Sequence, residues 1–286
     1  VNSAGEIHVA DAWNHNIQKF DASGNHLLTW GGYGSEVGRL NGPSGLALDS
    51  EGNVYVADSG NDRIQKFTAD GIFLRALGSQ GIYNNQFYSP RDIAINSIGE
   101  IFVADTFNSR IQRFTANWEH ILTIQIKDSI YGETILKPFG ITIDQENQLI
   151  VTTPYKIHVL ASDGALIREW GDFGRSDGEF YNASGIDVDD KGTIYVADQN
   201  NDRIQKFDLD GNYLNTIGVK QKALGYFNSP NGITIINDYI YVSDGGNNRI
   251  QKFNQHGTFL LDWGNYGMES GQFNNPGSMA GDSLGN

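Results

Sequence analysis

Six histidines are the side chains of this sequence best suited to binding a transition metal. They stand at His8, His15, His26, His120, His158 and His256. A zinc site needs three or four such ligands close together in space. These histidines recur at no fixed spacing, and the sequence contains no cysteine. We therefore predict no resident cofactor, with calcium or zinc held by other side chains as the alternative.

Asp187 is the acidic residue that best matches a calcium ligand, because calcium prefers carboxylate and amide oxygens. Five other segments of the chain have a small residue at the corresponding position: Ala47, Ala94, Thr142, Thr234 and Ala280. A carboxylate there is consistent with a metal site near the centre of the fold. It is also typical of a solvated channel, which is the interpretation we favour.

Aromatic side chains suggest a different chemistry, the binding of a partner. Three of them replace Gly, Asn or Ser at corresponding places in the repeated segments: Trp13, Phe107 and Tyr155. Three further candidates come just before a predicted inner strand: Arg91, Phe139 and Asn231. Aromatic and arginine side chains often dominate the energy of protein interfaces. Ordinary packing of the loops is the alternative interpretation, of equal weight.

These candidates are placed by a repeat that fills the chain. The segment VADSGNDRIQKF at residues 56–67 returns at 103–114, 196–207 and 242–253, with a variant at 9–20 and a shortened copy at 151–160. Successive copies are 45 to 48 residues apart. Such a period indicates one repeat-built domain, which we assign to residues 1–286. Because the pair of Asp58 and Arg63 recurs in most copies, we interpret it as structural. The pattern breaks at Asn16 in the first copy and at Thr153 and Lys156 in the fourth.

Each repeat predicts four short strands joined by Gly, Asn and Asp turns. In the second copy they are expected at residues 46–49, 54–58, 63–67 and 73–77. Ile64, Phe67, Leu74 and Leu77 are expected to pack between neighbouring sheets. No stretch has a helical period. A four-stranded sheet that is apolar on both faces needs neighbours on both sides, and a ring of such sheets provides them.

The sequence therefore predicts an all-β fold, a six-bladed β-propeller of four-stranded antiparallel blades. Residues 276–282 resemble a first strand, whereas the chain begins at the end of one. We expect the C-terminal strand to complete the blade formed by residues 6–30, which removes an open sheet edge. The overlap and the absence of an initiator Met indicate a segment of a longer chain.

Composition limits the possible partners. The chain has 34 acidic and 20 basic residues, giving a net charge of −14. Nucleic acids and anionic membranes select for Lys and Arg, so we predict neither nucleic-acid binding nor membrane insertion. Proteins, peptides and glycans remain as partners. The acidic, cysteine-free composition favours a secreted, periplasmic or cell-surface protein of a bacterium or archaeon.

The run PSGLALDSEGNVYVADSGNDRIQKF at residues 43–67 resembles the NHL repeat. The resemblance covers essentially the whole chain and implies a six-bladed propeller. Members of that family include protein- or RNA-binding modules, extracellular sensor domains and metal-dependent amidating lyases, so the family leaves function open. We predict a non-enzymatic module that binds a protein, peptide or glycan through one face. The alternative is a metal-dependent lyase or hydrolase, amidating-lyase-like or lactonase-like, with its site at the central channel.

Overall fold

The computed structural model describes residues 5–127, 135–218 and 225–281. In these ranges the strands form six separate four-stranded antiparallel sheets. Each sheet packs against the next, and the last packs against the first, so the sheets are the blades of a closed ring. The six-bladed propeller expected from the sequence is confirmed.

The strands of each blade are given from the axis outward. Blade 1 contains β24 (Pro276–Gly281), β1 (Ile7–Asp11), β2 (Asn16–Phe20) and β3 (His26–Gly31). Blade 2 contains β4 (Pro43–Leu48), β5 (Val54–Asp58), β6 (Arg63–Phe67) and β7 (Phe73–Leu77). Blade 3 contains β8 (Asp92–Ile95), β9 (Ile101–Asp105), β10 (Arg110–Phe114) and β11 (His120–Ile124).

The other three blades follow the same order. Blade 4 contains β12 (Ile141–Ile143), β13 (Leu149–Thr152), β14 (Ile157–Leu160) and β15 (Leu166–Trp170). Blade 5 contains β16 (Ala183–Val188), β17 (Ile194–Asp198), β18 (Arg203–Phe207) and β19 (Tyr213–Ile217). Blade 6 contains β20 (Pro230–Ile236), β21 (Tyr239–Asp244), β22 (Arg249–Asn254) and β23 (Phe259–Trp263).

Helical structure among the described residues is limited to single 3₁₀ turns. They lie between the second and third strands of four blades: Ser59–Asn61, Thr106–Asn108, Gln199–Asn201 and Gly245–Asn247. No helix in those ranges is long and apolar enough to span a membrane.

Three of the four strands expected for blade 2 match the structure at both ends. The inner strand β4 differs, because it begins at Pro43 and ends at Leu48. Pro43 already pairs with Asp58, and the register then shifts before Leu46 pairs with Val56. The sequence pattern missed this start because the irregular pairing breaks the period of two that marks a strand.

The ring closes where the two ends of the chain meet. Strand β24 pairs antiparallel with β1, with Met279 opposite Val9 and Gly281 opposite Ile7. The predicted completion of the first blade by the C-terminal strand is confirmed. Without β24, β1 would be the unpaired inner strand of the first blade. With it, β1 is hydrogen-bonded on both sides, to β24 and to β2.

Six apolar clusters each join residues of two neighbouring blades. Ile64 and Phe67 are buried in them, as expected, and Leu77 is partly buried. The prediction for Leu74 was wrong, because 47% of that residue is exposed. Side chains alternate along the outer strand, so one of its rows faces solvent.

The outer gap between blades is filled by one large side chain against one glycine. Trp30 of blade 1 lies over Gly71 of blade 2, where a Cβ would come within 2.5 Å of the indole. Leu77 is smaller than Trp30, and the next blade compensates with Trp118, which is buried beside Tyr55. At this gap a large side chain in place of the glycine thus offsets the smaller leucine.

A buried aspartate at the end of the second strand anchors each repeated loop. Asp58 accepts hydrogen bonds from Arg63 Nε at 2.7 Å, Gln65 Nε2 at 2.9 Å and Asn61 Nδ2 at 2.9 Å. Its other oxygen accepts the backbone N–H of Asn41, in the connection arriving from blade 1. The structural interpretation of the Asp and Arg pair agrees with this geometry. The carboxylate binds the backbone of the arriving connection, however, and not the backbone amides of its own turn.

A ring of glycines surrounds the axis where the inner strands approach one another. A Cβ on Gly140, Gly185 or Gly232 would lie within 2.6 Å of a backbone oxygen of the next blade. Two blades depart from this pattern, blade 1 with Ser278 and blade 3 with Asp92, whose side chain is buried. Its Oδ2 accepts the N–H of Ile141 at 3.0 Å. Burial raises the pKa of Asp92 to about 7, since hydrogen bonds from Ile141 and Ile93 offset only part of the lost hydration.

We predict that Asp105→Ala destabilises the fold by about 3–5 kcal/mol, because Arg110 is left buried without its counter-charge. Asp105 accepts from Arg110 Nε at 2.7 Å and holds the connection through the N–H of Tyr88. Denaturant unfolding measures the change. Asp210→Ala, at a carboxylate whose side chain is 82% exposed, is the control and should change little. Equal effects of the two substitutions would refute the anchoring role.

We predict that Asp92→Asn stabilises the protein at pH 8, on the order of 3 kcal/mol, and changes little near pH 4. The raised pKa means that the folded state holds a proton between about pH 4 and pH 7 that the unfolded state has lost. The wild-type protein therefore loses stability as pH rises through this window. Unfolding curves at several pH values measure the effect. Parallel pH dependence in the wild type and the variant would contradict it.

Candidate functional site

Loops from all six blades open on one end of the ring, which we call the upper face. Part of it consists of the loops between second and third strands, at residues 12–15, 59–62, 106–109, 153–156, 199–202 and 245–248. The remainder consists of the connections between blades, whose described residues are 32–42, 78–91, 125–127, 135–140, 171–182, 218, 225–229 and 264–275.

A depression of about 180 Å³ lies at the centre of the upper face. Every blade contributes to its wall the residue at or just before the start of its inner strand, and we call these the mouth residues: Ser44, Arg91, Phe139, Ser184, Asn231 and Gly277. Three of the six binding candidates chosen from the sequence are therefore brought together here. They converge because each is at or beside the start of an inner strand, nearest the axis.

The polar mouth residues mostly hold neighbouring blades together. Ser44 Oγ donates to the carbonyl of Arg91 at 2.8 Å, and Ser184 Oγ donates to the carbonyl of Asn231 at 2.9 Å. The Asn231 amide binds Gln199 and Asn275. The side-chain amide of Asn231 and the two hydroxyls are thus already engaged within the ring.

Arg91 differs from the other mouth residues because it carries a charge. The residue as a whole is exposed, and partial burial of its guanidinium lowers its pKa. Its guanidinium lies over the ring of Phe139, with 4.6 Å from Cζ to the ring centroid. The part of the chain that the structure describes contains no hydrogen-bond acceptor or carboxylate in contact with it. The backbone N–H of Arg91 donates to Ala104 and fixes the residue to blade 3.

Phe107 lies beside this pair in a cluster of its own. Its ring meets Tyr88 edge to face at 5.2 Å, and Lys137 Nζ lies 5.0 Å from its centroid. Phe107 is 51% exposed. The upper face thus presents two cation–π pairs, Arg91 with Phe139 and Lys137 with Phe107.

Tyr155 is the start of a second aromatic cluster, between blades 4 and 5. It meets Phe173 edge to face at 5.2 Å, and Phe173 meets Tyr181 in the same way. The sequence analysis did not select Tyr88, Phe173 or Tyr181. A signal was present for Phe173, because three connections contain a glycine, a variable residue, an aromatic and a glycine, at residues 31–34, 171–174 and 264–267.

Trp13 lies apart from the other binding candidates. It is in the loop of blade 1, three blades from Tyr155, and is 65% exposed. No aromatic ring of the described residues contacts it. Trp13 and the two clusters therefore share a face without forming one patch.

Exposed aromatic side chains are concentrated on the upper face. Eleven are exposed among the described residues, and ten of them lie in its loops: Trp13, Tyr33, Tyr83, Tyr88, Phe107, Tyr155, Phe173, Tyr181, Tyr226 and Tyr266. The eleventh, Tyr239, lies at the opposite end. The two ends of the ring are therefore chemically different.

Below the glycine ring, the inner strands line a cavity of about 290 Å³ that contains Asp92 and Asp187. Asp187 accepts hydrogen bonds from Thr142 Oγ1 at 3.2 Å and from the N–H of Ile235 at 2.8 Å. The carboxylate thus joins three blades. Burial raises its pKa to about 6 despite these bonds.

The residues around Asp187 do not fit a metal centre. Its oxygens already accept several donors, and Thr142 and Thr234 supply only hydroxyls. No group of three His, Asp or Glu side chains suited to a metal occurs within the described ranges. Two histidines are packed inside blades, and burial lowers the pKa of His8 to about 3.

Comparison with known sequences agrees with this architecture. A sequence profile described as NHL repeat matches residues 40–67, 87–114, 180–207 and 227–253. Each match ends at or next to the last residue of a third strand. The matches fall on blades 2, 3, 5 and 6. Blade 1 is assembled from both chain ends, and blade 4 carries the shortened repeat.

Two curated relatives match part of the chain. Protein brain tumor of Drosophila melanogaster is 31% identical over 98 residues, which is 34% of this chain and 10% of that protein. B-box type zinc finger protein ncl-1 of Caenorhabditis elegans is 34% identical over 74 residues, which is 26% of this chain and 9% of that protein. The matched region therefore spans about a tenth of each relative.

Solved structures share the fold at low sequence identity. A streptogramin B lyase aligns with a TM-score of 0.66 and 17% identity, over 96% of this chain and 83% of that one. A chain in the nidogen/laminin complex aligns with a TM-score of 0.71 and 15% identity, over 97% and 98% of the two chains. This chain is therefore a six-bladed β-propeller in which four blades carry matched NHL repeats.

Proposed function

We propose that this propeller is a non-enzymatic module that binds a protein or peptide through its upper face. The observation that carries the proposal is the placement of ten exposed aromatic side chains on that end. Large rings left in water at one end of a stable fold are typical of an interaction surface. The same side chains are enriched among the residues that dominate protein interfaces.

The loops that carry these rings are held rigidly, which favours binding. Arg110 of blade 3 donates to the carbonyls of Ile82 and Tyr83 at 2.7 and 2.8 Å, within the connection that carries Tyr83 and Tyr88. A loop already fixed in the free protein loses less conformational entropy when a partner binds. The buried aspartate network thus supports the display of the aromatic residues.

The comparisons give this proposal general support. A chain of the same fold occurs in a structure of a nidogen/laminin complex, which joins two proteins. The curated relatives are much longer than the matched region, as expected where a propeller is one module among others. The fold is also that of a streptogramin B lyase, so catalysis is an outcome that experiment must address.

We expect Trp13→Ala and Phe107→Ala to weaken partner capture from an extract of the source organism, with little loss of thermal stability. Both side chains are more than half exposed, so their removal deletes little buried area. Capture by the immobilised domain is quantified by mass spectrometry. Leu74→Ala, on the outside of blade 2, is the matched control and should bind as the wild type. If both aromatic variants capture the wild-type set, the upper face is not the binding surface.

We predict that protein purified without chelators or a nickel column carries no stoichiometric calcium or zinc. The hydrogen bonds that Asp187 accepts leave it poorly placed to bind a cation. Elemental analysis by mass spectrometry tests this. About one equivalent per chain would favour the metal-dependent lyase or hydrolase and would call for an Asp187→Asn variant with metal content as the readout.

A further inference from the structure

We propose that the central depression of the upper face binds one carboxylate of a peptide ligand through Arg91. The inference rests on the proposed function and names the ligand chemistry that the depression would recognise. It depends on the charge of Arg91, on two further donors in the same wall, and on the size of the depression.

Arg91 is unlike the four arginines of the repeated motif. Each of those donates through Nε to a fully buried aspartate, as Arg203 does to Asp198 at 2.7 Å. The Arg91 guanidinium instead lies over Phe139 and contacts no carboxylate among the described residues. Its planar fork of N–H groups matches the two oxygens of a carboxylate. The Arg91 guanidinium lies against the Phe139 ring in the wall of the depression. It is therefore positioned to bind an anionic group of a ligand.

Two more donors share the wall of the depression with Arg91. The Asn275 amide nitrogen and the Ser278 hydroxyl both line it, and neither donates to a described residue. The amide oxygen of Asn275 is already bound by Asn231 Nδ2 at 3.2 Å, which turns its nitrogen away from that partner. The depression thus offers unused donors beside Arg91 that a carboxylate would satisfy. The carboxyl group of Asp92, whose pKa is raised by burial, lines the same depression.

Neutralisation of Asp92 by Arg91 is the competing explanation. The two residues are neighbours in sequence, and the positive charge lowers the pKa of Asp92 slightly. No ion pair or hydrogen bond joins their side chains within the described structure, however. Asp92 Oδ2 is directed to the N–H of Ile141. Arg91 is therefore available to a ligand while Asp92 remains bound within the ring.

The size of the depression and the net charge of the protein restrict which ligands the depression can bind. A depression of about 180 Å³ has room for roughly six water molecules, so it can accept one side chain or a chain end but no folded surface. The net charge of −14 disfavours a polyanion such as a nucleic acid. One carboxylate with an apolar neighbour, which would contact Phe139, fits both limits.

The carboxylate can come from a peptide C-terminus or from an Asp or Glu side chain. Four immobilised hexapeptide libraries of random sequence separate these sources. Two have a free C-terminal carboxyl and two have a carboxamide, and one of each kind omits Asp and Glu. The probe is the purified propeller, and the readout is its retention, followed by dissociation constants for single retained peptides.

We expect retention on libraries that contain a carboxylate and none on the acid-free carboxamide library. Dependence on the free C-terminus assigns the terminal carboxylate, and dependence on Asp and Glu assigns the side chain. Arg91→Gln should raise the dissociation constant at least about tenfold, as expected for the loss of a charged hydrogen bond. Arg75→Gln is the matched control, because Arg75 is also exposed and lies over a ring, Trp118, on the outside of blade 2.

Equal retention on all four libraries, no retention on any of them, or unchanged binding by Arg91→Gln overturns the proposal. The binding function itself has a separate test in the partner capture by Trp13→Ala and Phe107→Ala. If these aromatic variants lose their partner while Arg91→Gln keeps it, the upper face binds but does not recognise a carboxylate. If none of the three variants loses the partner, both proposals fail.

Discussion

The structure depends on one buried carboxylate in each repeated blade. Asp58 and its equivalents sit at the end of a second strand, where they accept donors from the third strand and from the connection that arrives from the preceding blade. A buried charge is tolerated only with such partners. Because the buried carboxylate needs these donors, Arg, Asn and Gln must stand at fixed distances from it along the chain. This requirement makes the repeat visible in the sequence. In blade 1 Asn16 replaces the arginine, and burial raises the pKa of Asp11 to about 6.

Blade 4 shows what happens when that constraint is absent. Thr153 replaces the aspartate and His158 replaces the glutamine, and the two side chains contact each other at 3.0 Å. Lys156 takes the place of the arginine and pairs with Glu169 at 2.6 Å. The aromatic clusters of the upper face gather around this blade. Blade 4 departs from the repeat pattern where the aromatic clusters lie. We interpret this departure as consistent with the binding role proposed for the upper face, since local patterns often break at functional sites.

Much of the fold could be predicted from the sequence, because the features that define it are local or repeated. Strands β5, β6 and β7 matched at both ends, since turn residues bound each of them. The exposure of Leu74 was not predicted. Side chains alternate between the two faces of a strand, and the sequence does not say which face a neighbouring blade covers. The mouth residues could be found from topology alone. The contacts of Tyr88 and Phe173 could not, since they join loops that are distant in sequence.

The departure of blade 3 from the glycine ring connects stability with binding. Ring closure alone would be served by a small residue followed by glycine, as in Ser44 and Gly45, or Ser184 and Gly185. Blade 3 has Arg91 and Asp92 instead, and the raised pKa of Asp92 shows that its ionised form is disfavoured at the axis. The carboxylate is satisfied by Ile141 of blade 4, whereas the guanidinium faces the open depression. A destabilising carboxylate next to an exposed cation is unexplained by packing. It is consistent with the ligand-binding role proposed for Arg91, since a chain can retain a loss of stability where function requires it.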